Sequence, residues 1–442
     1  MASKSIPYKN SESLTIEIPT DSHNTAVEIA LNTCKHEYKT AFALFDHVLE
    51  QNEDSPRAHF GKARAYEIKS DSEADGELID LAINEYQAVL KNEDSPDALY
   101  NQAASRLIER ARFRGLLHTV LMAQRALIDR FPDDPELQND FALTFLMMGR
   151  EDDAFKVYND VLKLYPENGM AQAYYGFIQK LRGNFDEAVL FMRKGFRGTQ
   201  RKITDPRFYY HFGDALMRLG KTQEAYEVYS EGAKIGLFLS PYQRSLHNFR
   251  GLSAKPWWTI EQTTYGKFLK VLEKQWTVIR EEAIILLKTH PEYFTSENSE
   301  LTLFGNWSAF YFYRGWSWDE SNCMKARKTC ELLKEFRDTS NSSKSEMKLS
   351  LLTSNSRVWP HCGYSNCRLQ AHMGLVVPSE ARIRVADEIR GWKTGRFIIF
   401  DDSFEHELWF EGASANKYCL VLSIDLWHPD VASERRIDLG SL

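Results

Sequence analysis

Three histidines in the second half of the sequence are the residues best suited to metal chemistry. His361 lies in RVWPHCGY, His372 in LQAHMGL and His406 in FDDSFEHELW. His361 and His406 stand at the ends of separate predicted strands, and two imidazoles from different strands of a barrel are a natural ligand pair for ferrous iron. The carboxylate that usually follows two residues after the first histidine is replaced by Gly363. The residue types alone therefore leave open whether these histidines bind a metal or are ordinary polar residues of a core.

The predicted strand around His372 has one polar and one apolar face. Side chains alternate along a strand, so Arg368, Gln370 and His372 share one face. The opposite face holds Cys367, Leu369, Ala371 and Met373. A polar, cationic face inside a barrel needs a partner, because unpaired buried polar groups are costly. A bound carboxylate ligand would supply one.

Short runs with period-two alternation predict the strands that would position these residues. They are MKLSLL, NCRLQAHMGLVV, ARIRVA, GRFIIF and YCLVLSIDLW, and turn residues separate them. Many short strands with Gly and Pro between them are typical of a β-sandwich or barrel. The second half of the chain is therefore expected to be mainly β.

The first half repeats itself with a period of 34 residues. Pairs at this spacing are Gly149 and Gly183, Ala154 and Ala188, and Pro132 and Pro166, and a slightly stretched copy follows at Gly220 and Ala225. This period and its small residues are typical of tetratricopeptide repeats. Glycine is expected at the turn between two helices, alanine where the helices approach closely, and proline after the second helix.

A helical-repeat array can serve as a scaffold or present a peptide-binding groove. Four tyrosines, Tyr174, Tyr175, Tyr209 and Tyr210, could line such a groove or pack between the repeats, and the sequence does not decide between the two. We expect a flexible tail over residues 1–24, the repeat domain over 25–250, and a second domain over 251–442.

Composition excludes some classes of function. The net charge of −7 gives no broad surface for nucleic acid. No apolar stretch approaches the length that crosses a bilayer, and the polar first residues lack the core of a signal peptide.

Several motifs occur together in the order found in one enzyme family. The sequences VWPHCGYSNCRLQAHMGLVVP, GRFIIFDDSFEHELW and IDLWHPD, preceded by AKPWW, NWSAF and CMKARKTC, resemble the oxygenase domain of aspartyl/asparaginyl β-hydroxylases. The preceding repeats resemble the layout of the animal enzymes. The resemblance implies a double-stranded β-helix (jelly-roll or cupin-like) domain. It also implies an Fe(II)- and 2-oxoglutarate-dependent dioxygenase that hydroxylates the β-carbon of Asp or Asn in protein substrates such as EGF-like domains.

The resemblance also assigns residues. It makes His361 and His406 the iron ligands, with water in place of the carboxylate. The remaining assignments are Asp402 as the acid that holds the metal-bound water, Ser350 and His372 as contacts of the far and near carboxylates of 2-oxoglutarate, and Arg368 as a substrate contact.

Two positions depart from the family pattern. Gln370 stands where the family has an arginine at the cosubstrate, and Cys419 stands where it has the arginine that pairs with the far carboxylate. Lys417 lies two residues before Cys419, hence on the same strand face, and could replace that arginine. These differences predict weakened cosubstrate binding. They leave open two alternatives to the usual activity: a weak or inactive repeat-containing adaptor, and an oxygenase of relaxed specificity acting on another peptide.

Cys323 and Cys330 match a disulfide of the family's oxygenase domain. By resemblance, this places the protein in the lumen of the endoplasmic reticulum, where disulfides persist. The lack of a visible signal or anchor argues the other way, so we expect the lumen by resemblance and keep the cytoplasm as the alternative.

Overall fold

The computed structural model describes residues 38–73, 75–198, 203–336, 345–412 and 417–439. Two compact units divide the chain, Met1–Ile203 and Thr204–Leu442. The tail expected over residues 1–24 lies outside the described residues. The sequence-based boundary between residues 250 and 251 follows the change in residue pattern and stays a prediction, whereas the contacts group the last helical pair with the second unit.

The described part of the first unit is helical. Its helices are α1 (Tyr38–Gln51), α2 (Pro56–Glu73), α3 (Gly76–Lys91), α4 (Asp97–Phe113), α5 (Leu117–Arg130), α6 (Pro135–Met147), α7 (Glu151–Leu164), α8 (Gly169–Leu181) and α9 (Phe185–Gly198). Gly149 and Gly183 lie in the turns before α7 and α9 with φ of 71° and 81°, a backbone conformation that glycine adopts without strain. Ala154 and Ala188 are fully buried. The expected repeat pattern is therefore confirmed.

Close helix packing explains the small residues of the repeats. A Cβ atom on Gly176 of α8 would lie 2.8 Å from the carbonyl oxygen of Ala188 on α9. Tyr174 is buried and stacks on Tyr158 with ring centroids 5.8 Å apart, which is a packing role. Tyr175 is half-buried and donates a hydrogen bond to Glu187 over 3.0 Å.

The second unit begins with one more helical pair and continues into a β-domain. Its helices are α10 (Pro206–Arg218), α11 (Thr222–Lys234), α12 (Gly266–Lys274), α13 (Trp276–Thr289), α14 (Glu320–Lys325), α15 (Arg327–Lys334) and α16 (Ser433–Leu439). Its strands are β1 (Trp257–Trp258), β2 (Thr295–Ser296), β3 (Thr302–Phe304), β4 (Trp307–Arg314), β5 (Ser317–Trp318), β6 (Glu346–Thr353), β7 (Ser356–His361), β8 (Arg368–Val376), β9 (Ala381–Val385), β10 (Glu388–Arg390), β11 (Phe397–Phe400), β12 (His406–Phe410) and β13 (Tyr418–Trp427). Tyr209 of α10 is buried, and Tyr210 is half-buried.

The strands form two antiparallel sheets. The eight-stranded sheet has the order β1-β11-β8-β13-β6-β4-β2, with β5 paired to β4, and the five-stranded sheet has the order β10-β9-β12-β7-β3. From β6 to β13 the chain alternates between the sheets, with β9 and β10 forming a hairpin within the smaller one. This winding is the double-stranded β-helix, so the expected fold class, helical repeats followed by an antiparallel β-domain, is confirmed.

Alternation along the strands separates two apolar cores. Leu369 and Met373 of β8 belong to one cluster with Leu269 and Ile279 of α12 and α13, which cover the outer face of the large sheet. A second cluster, whose members include Leu352, Val421, Ile383, Leu408 and Phe410, lies between the sheets. The inner face of the large sheet therefore carries the polar residues 368, 370 and 372 toward the smaller sheet.

A disulfide joins α14 and α15. Cys323 and Cys330 are bonded, with their Cα atoms 5.2 Å apart, as the resemblance implied. Among the described helices, none is both long enough and apolar enough to span a membrane.

Candidate active site

The two candidate iron ligands face each other on neighbouring strands. His361 is the last residue of β7 and His406 the first of β12, and the two are paired across the ladder. Their ring centroids lie 4.2 Å apart. The fold thus brings together two histidines that are 45 residues apart in the sequence.

Hydrogen bonds to backbone carbonyls fix both imidazoles. Nδ1 of His361 lies 2.7 Å from the carbonyl oxygen of Trp359, and Nδ1 of His406 lies 3.0 Å from that of Phe404. A carbonyl only accepts, so Nδ1 donates its proton and Nε2 keeps its lone pair, which is the tautomer that binds a metal. Within the described residues neither Nε2 has a hydrogen-bond partner.

Burial keeps these imidazoles neutral. It lowers the pKa of His361 to about 3, with the nearby charge of His406 as a second cause, and it lowers the pKa of His406 to about 4. Neutral imidazole is the form that ligates metals.

Asp402 occupies the space that a side chain at position 363 would need. A Cβ atom on Gly363 would lie 2.3 Å from Oδ2 of Asp402, and the Gly363 N–H donates to the Asp402 carbonyl over 2.5 Å. The fold therefore places the Asp402 carboxylate in the space that a carboxylate side chain at position 363 would otherwise occupy.

The two oxygens of Asp402 have different surroundings. Oδ2 accepts hydrogen bonds from Arg368 over 2.9 Å and from Gln370 over 3.3 Å. Oδ1 is buried and, within the described residues, lacks a protein partner. This oxygen could accept from a water molecule beside a metal ion. Among the described residues, no three His, Cys, Asp or Glu side chains are grouped so that they could hold a metal ion by themselves.

The inner face of the large sheet forms the second wall of the site. His372 is buried, and its Nε2 lies 3.1 Å from Oε1 of Gln370, while its Nδ1 is buried without a partner among the described residues. Ser350, also on this face, accepts a hydrogen bond from Trp307 Nε1 over 3.0 Å. Gln370 thus bridges Asp402 and His372, and Ser350 stands on the same face.

Two cations on this face, Arg368 and Lys348, are already paired with carboxylates. Arg368 also donates to Asp425 over 3.2 Å. Lys348 contacts Glu297 at 2.8 Å and Glu346 at 2.7 Å. The strand register places Lys348 in one row with His372, and burial followed by the charge of Lys348 lowers the pKa of His372 to about 3.

The structure does not bring Lys417 to this wall. Lys417 precedes β13, its side chain is nearly half exposed, and its ammonium group lies 3.0 Å from Oε1 of Glu380. Cys419 is buried between the sheets, opposite Leu352 and two residues from the partner of Ser350. Strand parity was the argument for Lys417, but its side chain turns to a surface carboxylate beyond the strand end.

Sequence reasoning missed three residues of the site. Lys348, Trp307 and Asp425 all lie on the inner face, and burial raises the pKa of Asp425 to about 7. Parity could have found Lys348, because it stands two residues before Ser350 in the apolar run MKLSLL. Trp307 and Asp425 lie in the motifs NWSAF and IDLWHPD, but nothing in the sequence aligns β4 and β13 with β6, so their position on this face could not be predicted.

Comparison with known proteins agrees with this geometry. Residues 273–429 match the family described as aspartyl/asparaginyl beta-hydroxylase, and residues 206–235 match a tetratricopeptide repeat. The chain is 37% identical over 399 residues to the aspartyl/asparaginyl beta-hydroxylases of Mus musculus and Homo sapiens. Residues 273–429 therefore carry a domain of the aspartyl/asparaginyl beta-hydroxylase family.

These two matches cover most of this chain but only about half of each relative. They include 90% of the chain and 53% and 52% of the mouse and human proteins, so the chain spans about half the length of these β-hydroxylases. A shorter match, 33% identical over 139 residues, relates it to aspartate beta-hydroxylase domain-containing protein 2 of Xenopus tropicalis, covering 31% of this chain and 38% of that protein. The matches to the mouse and human proteins are therefore long enough to include both the repeats and the β-domain, whereas the match to the Xenopus protein covers less than a third of the chain.

Proposed function

We propose that this chain is an Fe(II)- and 2-oxoglutarate-dependent dioxygenase that hydroxylates the β-carbon of Asp or Asn in protein substrates such as EGF-like domains. The observation that carries the proposal is the geometry of one corner of the β-domain. His361 and His406 each donate from Nδ1 to a backbone carbonyl, which leaves the lone pair on Nε2 for a metal ion. The Asp402 carboxylate fills the space beside Gly363. The family match of residues 273–429 supports the same chemistry.

Each residue would have a distinct task at the metal. His361 and His406 would hold ferrous iron, which together with 2-oxoglutarate supplies the activation of dioxygen. Asp402 would accept a hydrogen bond from a water molecule through Oδ1, while Arg368 and Gln370 fix Oδ2. The carboxylate would thereby orient the site without binding the metal itself.

The inner face of the large sheet would orient 2-oxoglutarate and the protein substrate. His372 and Gln370 would contact the end of 2-oxoglutarate nearer the metal, and Ser350, held by Trp307, would contact its far carboxylate. Arg368 lies beside Asp402, so its guanidinium would direct the side chain of a target Asp or Asn toward the metal corner.

A second function is favoured by one observation on the same wall. Cys419 provides no cation, and both Lys348 and Arg368 already contact two carboxylates each. A dicarboxylate would have to compete for these charges. This supports the alternative of a catalytically weak or inactive repeat-containing adaptor, for which metal binding would persist and turnover would be low.

The endoplasmic reticulum lumen is our proposed compartment. The buried Cys323–Cys330 disulfide supports it, because such bonds persist in an oxidising environment. Peptide mapping of the protein purified without reductant from its native cells would find this bond, and free thiols at both positions would contradict the proposed location.

Metal binding and turnover test the proposed function separately. Anaerobic titration should show one ferrous ion per chain, and His361→Ala or His406→Ala should abolish tight binding, since each supplies one of two protein ligands. His428→Ala is the matched control, because His428 is a buried histidine of the same unit that hydrogen-bonds to Ser253. An EGF-like domain should then gain one oxygen atom in the presence of 2-oxoglutarate. Metal binding without turnover would favour the adaptor, and equal metal content in all variants would contradict the site.

A further inference from the structure

One segment of the second unit connects the two chain stretches that carry the histidines. Residues 242–249, here called the strap, follow helix α11 and precede the β-domain in the sequence. The strap forms isolated bridges with both stretches: Gln243 pairs with Phe404, and His247 pairs with Ser365.

The first half of the strap holds the stretch that leads into His406. Glu405 N–H donates to the carbonyl oxygen of Tyr242 over 2.6 Å, and Gln243 Nε2 donates to Ser403 Oγ over 2.8 Å. Arg244 Nη2 donates to Glu405 Oε2 over 2.6 Å, and only 2% and 1% of these two side chains are exposed. A buried, charge-assisted bond of this kind holds its partners in one geometry more firmly than a neutral one.

The second half holds the stretch that follows His361. Ser245 Oγ donates to the carbonyl oxygen of Gly363 over 2.6 Å, and Phe249 exchanges two hydrogen bonds with the side chain of Asn366, at 2.8 and 2.9 Å. Ser245 and Asn366 are both buried. The same short segment therefore fixes both stretches.

The strap acts where the strand ladder ends. His361 is the last residue of β7 and His406 the first of β12, so regular strand structure ends at each histidine, although His406 is also paired with Val385 of β9. Strand ends are the least constrained part of a ladder, and metal ligands need outside support to keep their spacing.

We propose that the strap is the positioning element of the metal centre, with Ser245 and Arg244 as positioning residues that hold the stretches beside His361 and His406. This inference rests on the proposed two-histidine metal site. Neither residue hydrogen-bonds to His361, His406 or Asp402 within the described structure; Ser245 acts through Gly363 and Arg244 through Glu405. Ser245 contacts the stretch after His361, and Arg244 contacts the stretch before His406. Substitutions at the two residues should therefore raise hydrogen–deuterium exchange in different stretches.

The experiment compares Ser245→Ala with a matched change elsewhere. Ser70→Ala also removes a buried serine hydroxyl that donates to a backbone carbonyl, that of Asp75 over 2.7 Å, but in the first unit. In the 442-residue chain prepared without metal, Ser245→Ala should raise hydrogen–deuterium exchange over residues 361–366 and weaken Co(II) binding by about tenfold or more, the usual range for residues that support metal ligands. Ser70→Ala should leave both unchanged.

Arg244→Lys tests the other half of the strap. Lysine keeps the charge but cannot bond Glu405 and the carbonyl oxygen of Pro241 as the arginine does. Exchange should rise over residues 401–406, again with weaker Co(II) binding. A purely structural role would lower the unfolding midpoint and leave the Co(II) affinity of the folded protein unchanged, which would overturn the inference. Failure of the unaltered chain to bind Co(II) would instead overturn the proposed metal site, and the inference with it.

Discussion

At the scale of single residues, the candidate site has its carboxylate at position 402 and not at position 363. The sequence has Gly363 where a ligand would be expected, and the structure has Asp402 beside it, delivered by the loop before β12. The histidines and Asp402 were predicted from motifs, because the family resemblance aligns short, dense sequence patterns. The Gly363–Asp402 contact was not predicted, since it depends on the packing of two loops.

Filling the space at position 363 should disturb the proposed metal site. Gly363→Ala places a Cβ atom 2.3 Å from the Asp402 carboxylate, which must move away. We expect Co(II) affinity to fall by roughly 10- to 100-fold, measured by calorimetry. Gly266→Ala is the control, because its Cβ atom would have 3.5 Å to the nearest atom. Equal affinities in the two variants would show that Asp402 does not serve the metal.

The proposed 2-oxoglutarate contacts on the inner face of the large sheet give a second prediction at this scale. Cys419→Arg should strengthen 2-oxoglutarate binding about ten- to hundredfold, because a charged hydrogen bond contributes ~1.5–3 kcal/mol. Lys417→Ala should leave the affinity unchanged, since the Lys417 ammonium contacts Glu380. Calorimetry with Mn(II) in place of iron prevents turnover, and circular dichroism checks that the arginine variant folds. A large loss of affinity in Lys417→Ala would restore the sequence-based role of that lysine.

At the scale of elements, alternation along strands and the 34-residue period carried most of the prediction. Predicted strand runs such as MKLSLL and YCLVLSIDLW lie within β6 and β13, because residues that alternate between a core and a polar face leave a clear pattern. The pairing of strands from different sheets left no such pattern. The roles of Lys348 and of the strap therefore emerge only from the folded chain.

The helical repeats can be tested through one of their alanines. Ala188 is fully buried in α9, so Ala188→Leu should overpack the contact with α8 and destabilise the protein by ~1–3 kcal/mol. Ala98→Leu makes the same change at an exposed position of α4 and should have little effect. Urea denaturation monitored by circular dichroism measures both. Identical midpoints would mean that Ala188 does not face a partner helix.

At the scale of the whole molecule, the second unit includes the last helical pair. Tyr226 of α11 donates to Glu405 over 2.9 Å, and the strap follows the same helix. The change in sequence pattern near residue 250 is therefore a different boundary from the one that contacts define. The sequence pattern changes where helices are followed by strands, whereas the contacts between residues determine which helices belong to the second unit.

Two fragments distinguish these boundaries. Residues 204–442 should fold cooperatively and bind one Co(II) ion, because they keep the strap and the Tyr226–Glu405 contact. Residues 251–442 should melt at a lower temperature and bind Co(II) at least tenfold more weakly. Thermal unfolding and metal titration of the purified fragments provide the comparison. Equal behaviour would place the functional boundary at residue 250.

The contact between Gly363 and Asp402 also constrains how such a site can evolve. A carboxylate at position 363 and one at position 402 would occupy the same space, so the two arrangements exclude each other. A lineage that exchanged one for the other would need paired substitutions or would pass through an ancestor with neither acid. Gly363 and Asp402 should therefore be inherited together, and an ancestral sequence carrying acids at both positions is not expected.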